Sequence, residues 1–264
     1  MNRRLEFLGE MGLAPLWRLR ARDASQGETE AQAVPKPAAG SSVAPPTVAR
    51  PRVAMRESTP VRAQEAGSGE RSERIAHLFL DALKAEVKAC TACALCKSRT
   101  QTVFGVGDES ADWMIVGEAP GAEEDARGEP FVGQAGKLLD NMLAAIGLAR
   151  DKNVYIANVL KCRPPGNRNP QPGEVAQCSA LLARQIQLVQ PKLILAMGRF
   201  AAQALLNSDA SIASMRGKLY RYQGVPTIVT YHPAYLLRSL PEKAKAWEDL
   251  CFARANMAGG IIKR

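Results

Sequence analysis

Trp113-Met114-Ile115-Val116-Gly117-Glu118-Ala119-Pro120-Gly121 is the stretch on which the fold turns. Four apolar residues run unbroken into a glycine, as in a strand buried on both faces. The Gly/Pro segment behind them makes a tight, rigid turn that presents a carboxylate and free backbone N–H groups. The same alternation continues on both sides. Ile75, Leu78, Phe79, Ala82, Leu83 and Val87 fall at helical spacing and predict a helix from Ile75 to Ala89. Further helices are expected over 134–148, 174–189, 198–206 and 242–257, and further strands over 154–160, 193–197, 217–222 and 226–231. Strands alternating with helices imply an α/β fold whose parallel sheet is covered on both faces. Ligands of such sheets lie beyond the carboxyl ends of the strands, so the loops after Val116, Asn158, Met197 and Tyr231 are the ones to read for chemistry.

Composition narrows the function classes. The chain has 264 residues, 46% of them hydrophobic, enough for a substantial core and one domain plus a remainder. No apolar run approaches the roughly 18 residues of a membrane span, so no membrane association is expected. Thirty-five Lys and Arg against 26 Asp and Glu leave a net charge of +9 and favour a polyanionic partner such as nucleic acid. Six unevenly spaced cysteines and no secretory signal pattern suggest a reducing, cytoplasmic compartment, where grouped cysteines bind metal more often than they pair.

Three segments are expected. Residues 21–74 are rich in Pro, Ala, Ser, Gly and Glu without hydrophobic period, and read as a disordered linker. Residues 75–264 form the globular domain. Residues 1–20 hold an apolar island (Leu5, Phe7, Leu8, Met11, Leu13, Leu16, Trp17, Leu19) among arginines. This island reads as a loosely packed helix or as a motif docking on a protein partner. An organelle transit peptide is disfavoured by Glu6 and Glu10.

Three constellations carry chemistry. The first is the turn 117–121 with the stiff loop 128–136, Gly-Glu-Pro-Phe-Val-Gly-Gln-Ala-Gly, in which Phe131 is either a core plug or a stacking surface. The second is Tyr231-His232-Pro233-Ala234-Tyr235-Leu236-Leu237-Arg238. Its histidine, at a strand end, is better placed for chemistry than for packing, and Leu236 and Leu237 are either core or exposed wedges. The third is cysteine: Cys90 and Cys93 form a CxxC with Cys96 close behind, and Cys162 and Cys178 lie far along the chain. Four of these thiols could hold zinc or an iron–sulfur cluster, which residue types alone do not separate. Cys251 reads as a buried thiol of the final helix.

The ordered set 117–121, 128–136, Asn158–Pro170 and His232–Arg238, together with the cysteines, resembles the family 4 uracil-DNA glycosylases, the iron–sulfur type, over roughly residues 80–255. The resemblance implies a three-layer α/β/α fold around a short, mostly parallel sheet. It implies a [4Fe-4S] cluster on Cys90, Cys93, Cys162 and Cys178, with Cys96 left out. It implies hydrolysis of the N-glycosidic bond of deoxyuridine in DNA by a monomer working beside the nucleoid. His232 would stabilise negative charge on uracil O2, Asn158 would read O4 and N3–H, and Phe131 would stack on the base. Gly117, Glu118 and Ala119 would hold uracil O2 and the attacking water. Leu236, Leu237 and Arg238 would fill the hole in the duplex and contact phosphate. A related subgroup traps uracil-DNA covalently through a histidine, but residues 161–170 contain none, so turnover is expected. A non-catalytic or trapping DNA-binding protein of the same fold is the alternative. A nucleotide-hydrolysing enzyme would need a Walker lysine pattern or a carboxylate cluster, and the sequence has neither.

Overall fold

The computed structural model describes residues 63–258. The segment 1–20 and most of the stretch expected as linker lie outside the described residues. In chain order the elements are α1 (Ala63–Ala76), α2 (Leu80–Lys88), β1 (Val106–Gly107), β2 (Trp113–Gly117), α3 (Ala122–Arg127) and α4 (Gln134–Ala145). There follow β3 (Val154–Asn158), α5 (Pro172–Val189), β4 (Leu193–Met197), α6 (Arg199–Leu206) and α7 (Ile212–Met215). The last are β5 (Leu219–Tyr222), β6 (Val225–Thr230), α8 (Pro233–Arg238) and α9 (Glu242–Ala258).

The strands form one sheet in the order β1-β3-β2-β4-β6-β5. The four central strands are parallel, and only the edge strands β1 and β5 run antiparallel. Strand periodicity sorts the side chains to two faces. Met114, Val116, Tyr155, Ala157, Ile194, Ala196 and Val229 join Leu83 and Val87 of α2, Leu181 and Ile186 of α5 and Ala201 and Leu205 of α6. The alternate residues Trp113, Ile115, Val154, Ile156, Leu193, Leu195 and Ile228 join Leu139 and Leu143 of α4, Leu236 of α8 and Leu250 of α9. Helices therefore cover both faces, giving the expected three layers. Each fully buried aliphatic side chain stabilises this arrangement by about 1.5–3 kcal/mol. The parallel register brings Gly117, Asn158, Met197 and Thr230 to one edge, and places the loops behind them side by side.

The linker boundary expected at residue 74 is corrected: α1 begins at Ala63. Its sequence is polar and shows no apolar stripe, so composition hid it. Arg71 ties it down, donating from Nη1 to the Gln177 carbonyl of α5 at 2.7 Å. The single helix expected from Ile75 to Ala89 is two. Phe79 has extended backbone at the N-cap of α2, and the break turns Ile75 as well as Leu83 and Val87 into the core.

Candidate active site

Three loops of the sheet edge converge. Gly117 closes β2 opposite Asn158 at the end of β3. A Cβ at position 117 would overlap Asn158 Oδ1 and lie 2.5 Å from Phe131 Cζ. Only glycine leaves room for those two side chains to meet there. Phe131 is 5% exposed, and its ring stacks on that of His232 with centroids 5.4 Å apart. Gly198, at the end of β4, backs the histidine, since a Cβ there would approach His232 Cβ to 2.9 Å. Gly117, Asn158, Phe131 and His232 thus form one contiguous wall, assembled from four separate segments.

Phe131 holds a left-handed backbone, φ 55°, which costs a non-glycine residue of order 1–3 kcal/mol and persists only when its surroundings enforce it. Two side chains that the sequence reading missed do so. Arg150 donates to the carbonyls of Pro130 and Phe131 at 2.8 and 2.7 Å, and is itself held by Asp140. Glu124 accepts the N–H groups of Val132 and Gly133 at 2.9 and 3.1 Å on one oxygen, and that of Gly121 at 3.1 Å on the other. Glu124 therefore couples the 117–121 turn to the Phe131 loop. The bond to Gly121 is a local helix cap, but the bonds from Glu124 to the Phe131 loop and from Arg150 to its carbonyls span 8 to 20 residues, and no local pattern marks them.

Asn158 is 2% exposed, and its Oδ1 has no hydrogen-bond partner. A buried, unpaired acceptor costs about 1–3 kcal/mol, and calls for a ligand donor. The backbone carbonyl of the same residue accepts Lys161 Nζ at 2.7 Å. Lys161, 1% exposed, is a third residue that the sequence reading missed. Burial lowers its ammonium to about 7, against the opposing pull of Cys178 and Cys162.

His232 is the N-cap of α8, and Pro233 at the first helical position needs no N–H partner. The imidazole Nδ1 accepts the Ala234 N–H at 3.2 Å, so the ring proton sits on Nε2. Burial, helped by Arg238 and opposed by Glu124, lowers its pKa to about 4. The ring is a neutral donor at physiological pH. Glu118 and Ala119 continue the β2 turn, half-buried, and burial raises the Glu118 carboxyl to about 7 with Arg199 opposing. The same sheet edge thus carries a histidine held neutral and, after β2, a carboxyl poised near neutrality.

The turn after β6 is helical, and this separates its residues. Leu236 is 1% exposed and belongs to the core beneath the sheet, so its expected role as a DNA wedge is corrected: the helical turn directs it inward. Leu237 is 42% exposed, and Arg238 is also open to solvent.

The thiols gather at the other end of the β3 loop. Cys90 and Cys93 follow α2, Cys162 follows β3, and Cys178 lies on α5. Burial raises the thiols of Cys93, Cys162 and Cys178. Cys93 feels Cys90, Cys162 feels Cys93 and Cys90, and Cys178 feels Cys162 and Cys93. Arginines reach two of the sulfurs: Arg71 donates to Cys90 Sγ at 3.4 Å and Arg99 to Cys162 Sγ at 3.1 Å. Cys96 also neighbours Cys93. Among the described residues no three candidate ligands converge as they would around a single metal ion. Cys251 is exposed on α9, correcting its reading as a buried thiol.

A family profile described as "Uracil DNA glycosylase superfamily" matches residues 104–251, more than half of the chain, and the chain belongs to that superfamily. It is 49% identical over 166 residues to the Type-4 uracil-DNA glycosylase of Archaeoglobus fulgidus, covering 60% of this chain and 83% of that one. To the Type-4 enzyme of Sulfurisphaera tokodaii it is 46% identical over 179 residues, 64% and 80% of the two chains. For that of Thermotoga maritima the identity is 43% over 163 residues, 61% and 84%. Within the superfamily, the chain is a member of the Type-4 family.

Proposed function

We propose that this protein removes uracil from DNA by hydrolysing the N-glycosidic bond and leaving an abasic site for repair. The observation that carries the reading is Asn158 Oδ1, a buried acceptor without a partner, set against Gly117 and Phe131. Uracil presents an N3–H donor beside the O4 acceptor, and the Asn158 amide offers both complements. Cytosine has an acceptor at N3 and a donor at position 4, and mismatches both.

The target nucleotide is flipped from the stack at a cost of a few kcal/mol, least where uracil mispairs. Phe131 takes one face of the base. As the C1′–N1 bond breaks, its electron pair leaves with uracil, and negative charge gathers on O2. His232 Nε2–H donates there, and a neutral imidazole suffices because the task is to stabilise an anion. Glu118 and the backbone of Ala119 hold the water whose oxygen bonds to C1′. The water's proton offsets the charge of the departing uracil. Leu237 and Arg238 lie on the DNA side, filling the vacated stack and meeting phosphate.

The four thiols of Cys90, Cys93, Cys162 and Cys178 suit a [4Fe-4S] cluster. They neighbour one another, and Arg71 and Arg99, each donating to one of the sulfurs, would offset thiolate charge. When bound, the cluster supplies a covalent staple between α2, the β3 loop and α5. Lys161 stands next to that staple in the chain and holds the Asn158 carbonyl, so the staple fixes the segment that presents Asn158. No helix among the described residues is long and apolar enough to cross a membrane. The reading places the enzyme in the cytoplasm at chromosomal DNA, acting as a monomer, with residues 1–20 recruiting a protein partner. The test is release of free uracil from an oligonucleotide carrying one uracil, with cytosine and thymine oligonucleotides as controls. Release from uracil alone supports the reading, and equal release from cytosine would refute the Asn158 assignment.

A further inference from the structure

We propose that Tyr235 is a stacking ledge for an unpaired base of the substrate strand, next to the flipped uracil; this rests on the uracil-excision reading above. The ring is the outermost layer of a stack that runs from the core to the surface. At its base Asp249, 1% exposed, accepts Thr230 Oγ1 at 2.8 Å and Arg216 Nε at 2.6 Å. The Arg216 guanidinium lies over the Tyr231 ring at 5.0 Å, and Tyr231 stacks on Tyr235 with centroids 5.2 Å apart and planes 29° from parallel. Tyr231 therefore backs one side of Tyr235, while 38% of Tyr235 stays open to solvent.

An exposed tyrosine needs a reason for such support. Tyr231 immediately precedes His232, and Tyr235 lies within the helix that His232 caps, so the ledge is fixed to the catalytic histidine. Arg238 stands three residues on, on the same helical face, and is near enough to His232 to lower its pKa. An aromatic ring beside a cation, continuous with the uracil site, is the arrangement that takes a base on the ring and its phosphate on the charge. The occupant is a nucleobase rather than an apolar protein segment, because Tyr235 presents a rigid ring already stacked from behind, with the Arg238 charge three residues on along the same helix. A base still paired in duplex is stacked elsewhere, so the ledge favours strands whose flank is single-stranded or mispaired.

The experiment uses full-length protein and single-stranded oligonucleotides with one uracil, and reads KM and kcat for uracil release. Tyr235→Ala is expected to raise KM roughly tenfold, with the loss falling on KM rather than kcat. Tyr235→Phe keeps the ring and should restore the wild-type KM. Substrates with an abasic nucleotide on the 5′ or the 3′ side of uracil identify the partner. At the side that stacks, the missing base should weaken wild type as Tyr235→Ala does, and the two changes together should cost no more than either alone. Full additivity at both sides, or an unchanged KM in Tyr235→Ala, would overturn the ledge while leaving uracil excision standing. If no variant, wild type included, released uracil, the underlying reading would fail instead.

Discussion

The carboxylate of Glu124 accepts the backbone N–H of Val132 at 2.9 Å, and so fixes the loop in which Phe131 holds its left-handed conformation. Each hydrogen bond to a charged group is worth about 1.5–3 kcal/mol, and Glu124 makes three. Glu124→Ala is expected to cut kcat/KM for uracil release at least tenfold with the fold kept. Far-UV circular dichroism beside the kinetic assay checks this. Wild-type kcat/KM would mean that Phe131 is held without Glu124.

Gly117 tests the wall from the other side. In Gly117→Ala the new methyl competes with Phe131 and Asn158 for the same space, and the buried strand cannot move aside. Activity should fall at least a hundredfold, with thermal stability lowered by about 1–3 kcal/mol from overpacking. Isothermal titration with uracil should show lost binding in this variant.

The pH dependence follows from two perturbed groups. In the proposed mechanism an ionised Glu118 holds the water, and its carboxyl is raised to about 7, so kcat/KM should rise with pH through about 7 and then level off. Glu118→Gln should remove that limb. His232, with its pKa near 4, contributes no limb above pH 5. The stability sign is opposite. Because the folded Glu118 carboxyl is raised above its unfolded value, the stability that it contributes is full below about 4.5 and is lost as pH rises through about 7. Glu118→Gln should therefore be more stable than wild type at pH 8, which thermal melts at pH 5 and 8 would show.

The amino-terminal boundary is testable too. A chain beginning at residue 63 should melt and turn over like the full protein. One beginning at residue 75 lacks Arg71, which reaches both Gln177 and Cys90. Its melting temperature should drop by about 3 °C or more. Equal melting of the two would return the boundary to residue 74.

Much of the fold was legible because the four central strands are short, largely apolar runs, three of them beside Gly or Pro, and the strand 193–197 begins and ends as the sequence indicates. His232, Asn158 and Gly117 could be picked out because each sits at or next to a strand end, and Phe131 because it lies in a Gly/Pro-stiffened loop ahead of a helix. Helix α1 escaped because a polar arginine docks it in place of an apolar stripe. Leu236 and Leu237 looked equivalent until Pro233 started a helix and sent one inward and the other outward. Arg150 acts on backbone carbonyls some twenty residues away, and Glu124 reaches beyond its own helix cap to Val132 and Gly133, contacts that no spacing rule marks.

The most direct test is multiple-turnover release of uracil from a single-uracil oligonucleotide by wild type and by His232→Ala, each shown to be folded. Removing an anion-stabilising donor costs roughly 2.7–4 kcal/mol in kcat. Wild type should release many equivalents of uracil per enzyme without forming a covalent adduct, and His232→Ala should be slower by a factor of order a hundred or more. Equal rates for the two folded proteins, or a wild type that stops after one equivalent with DNA attached, would contradict the account.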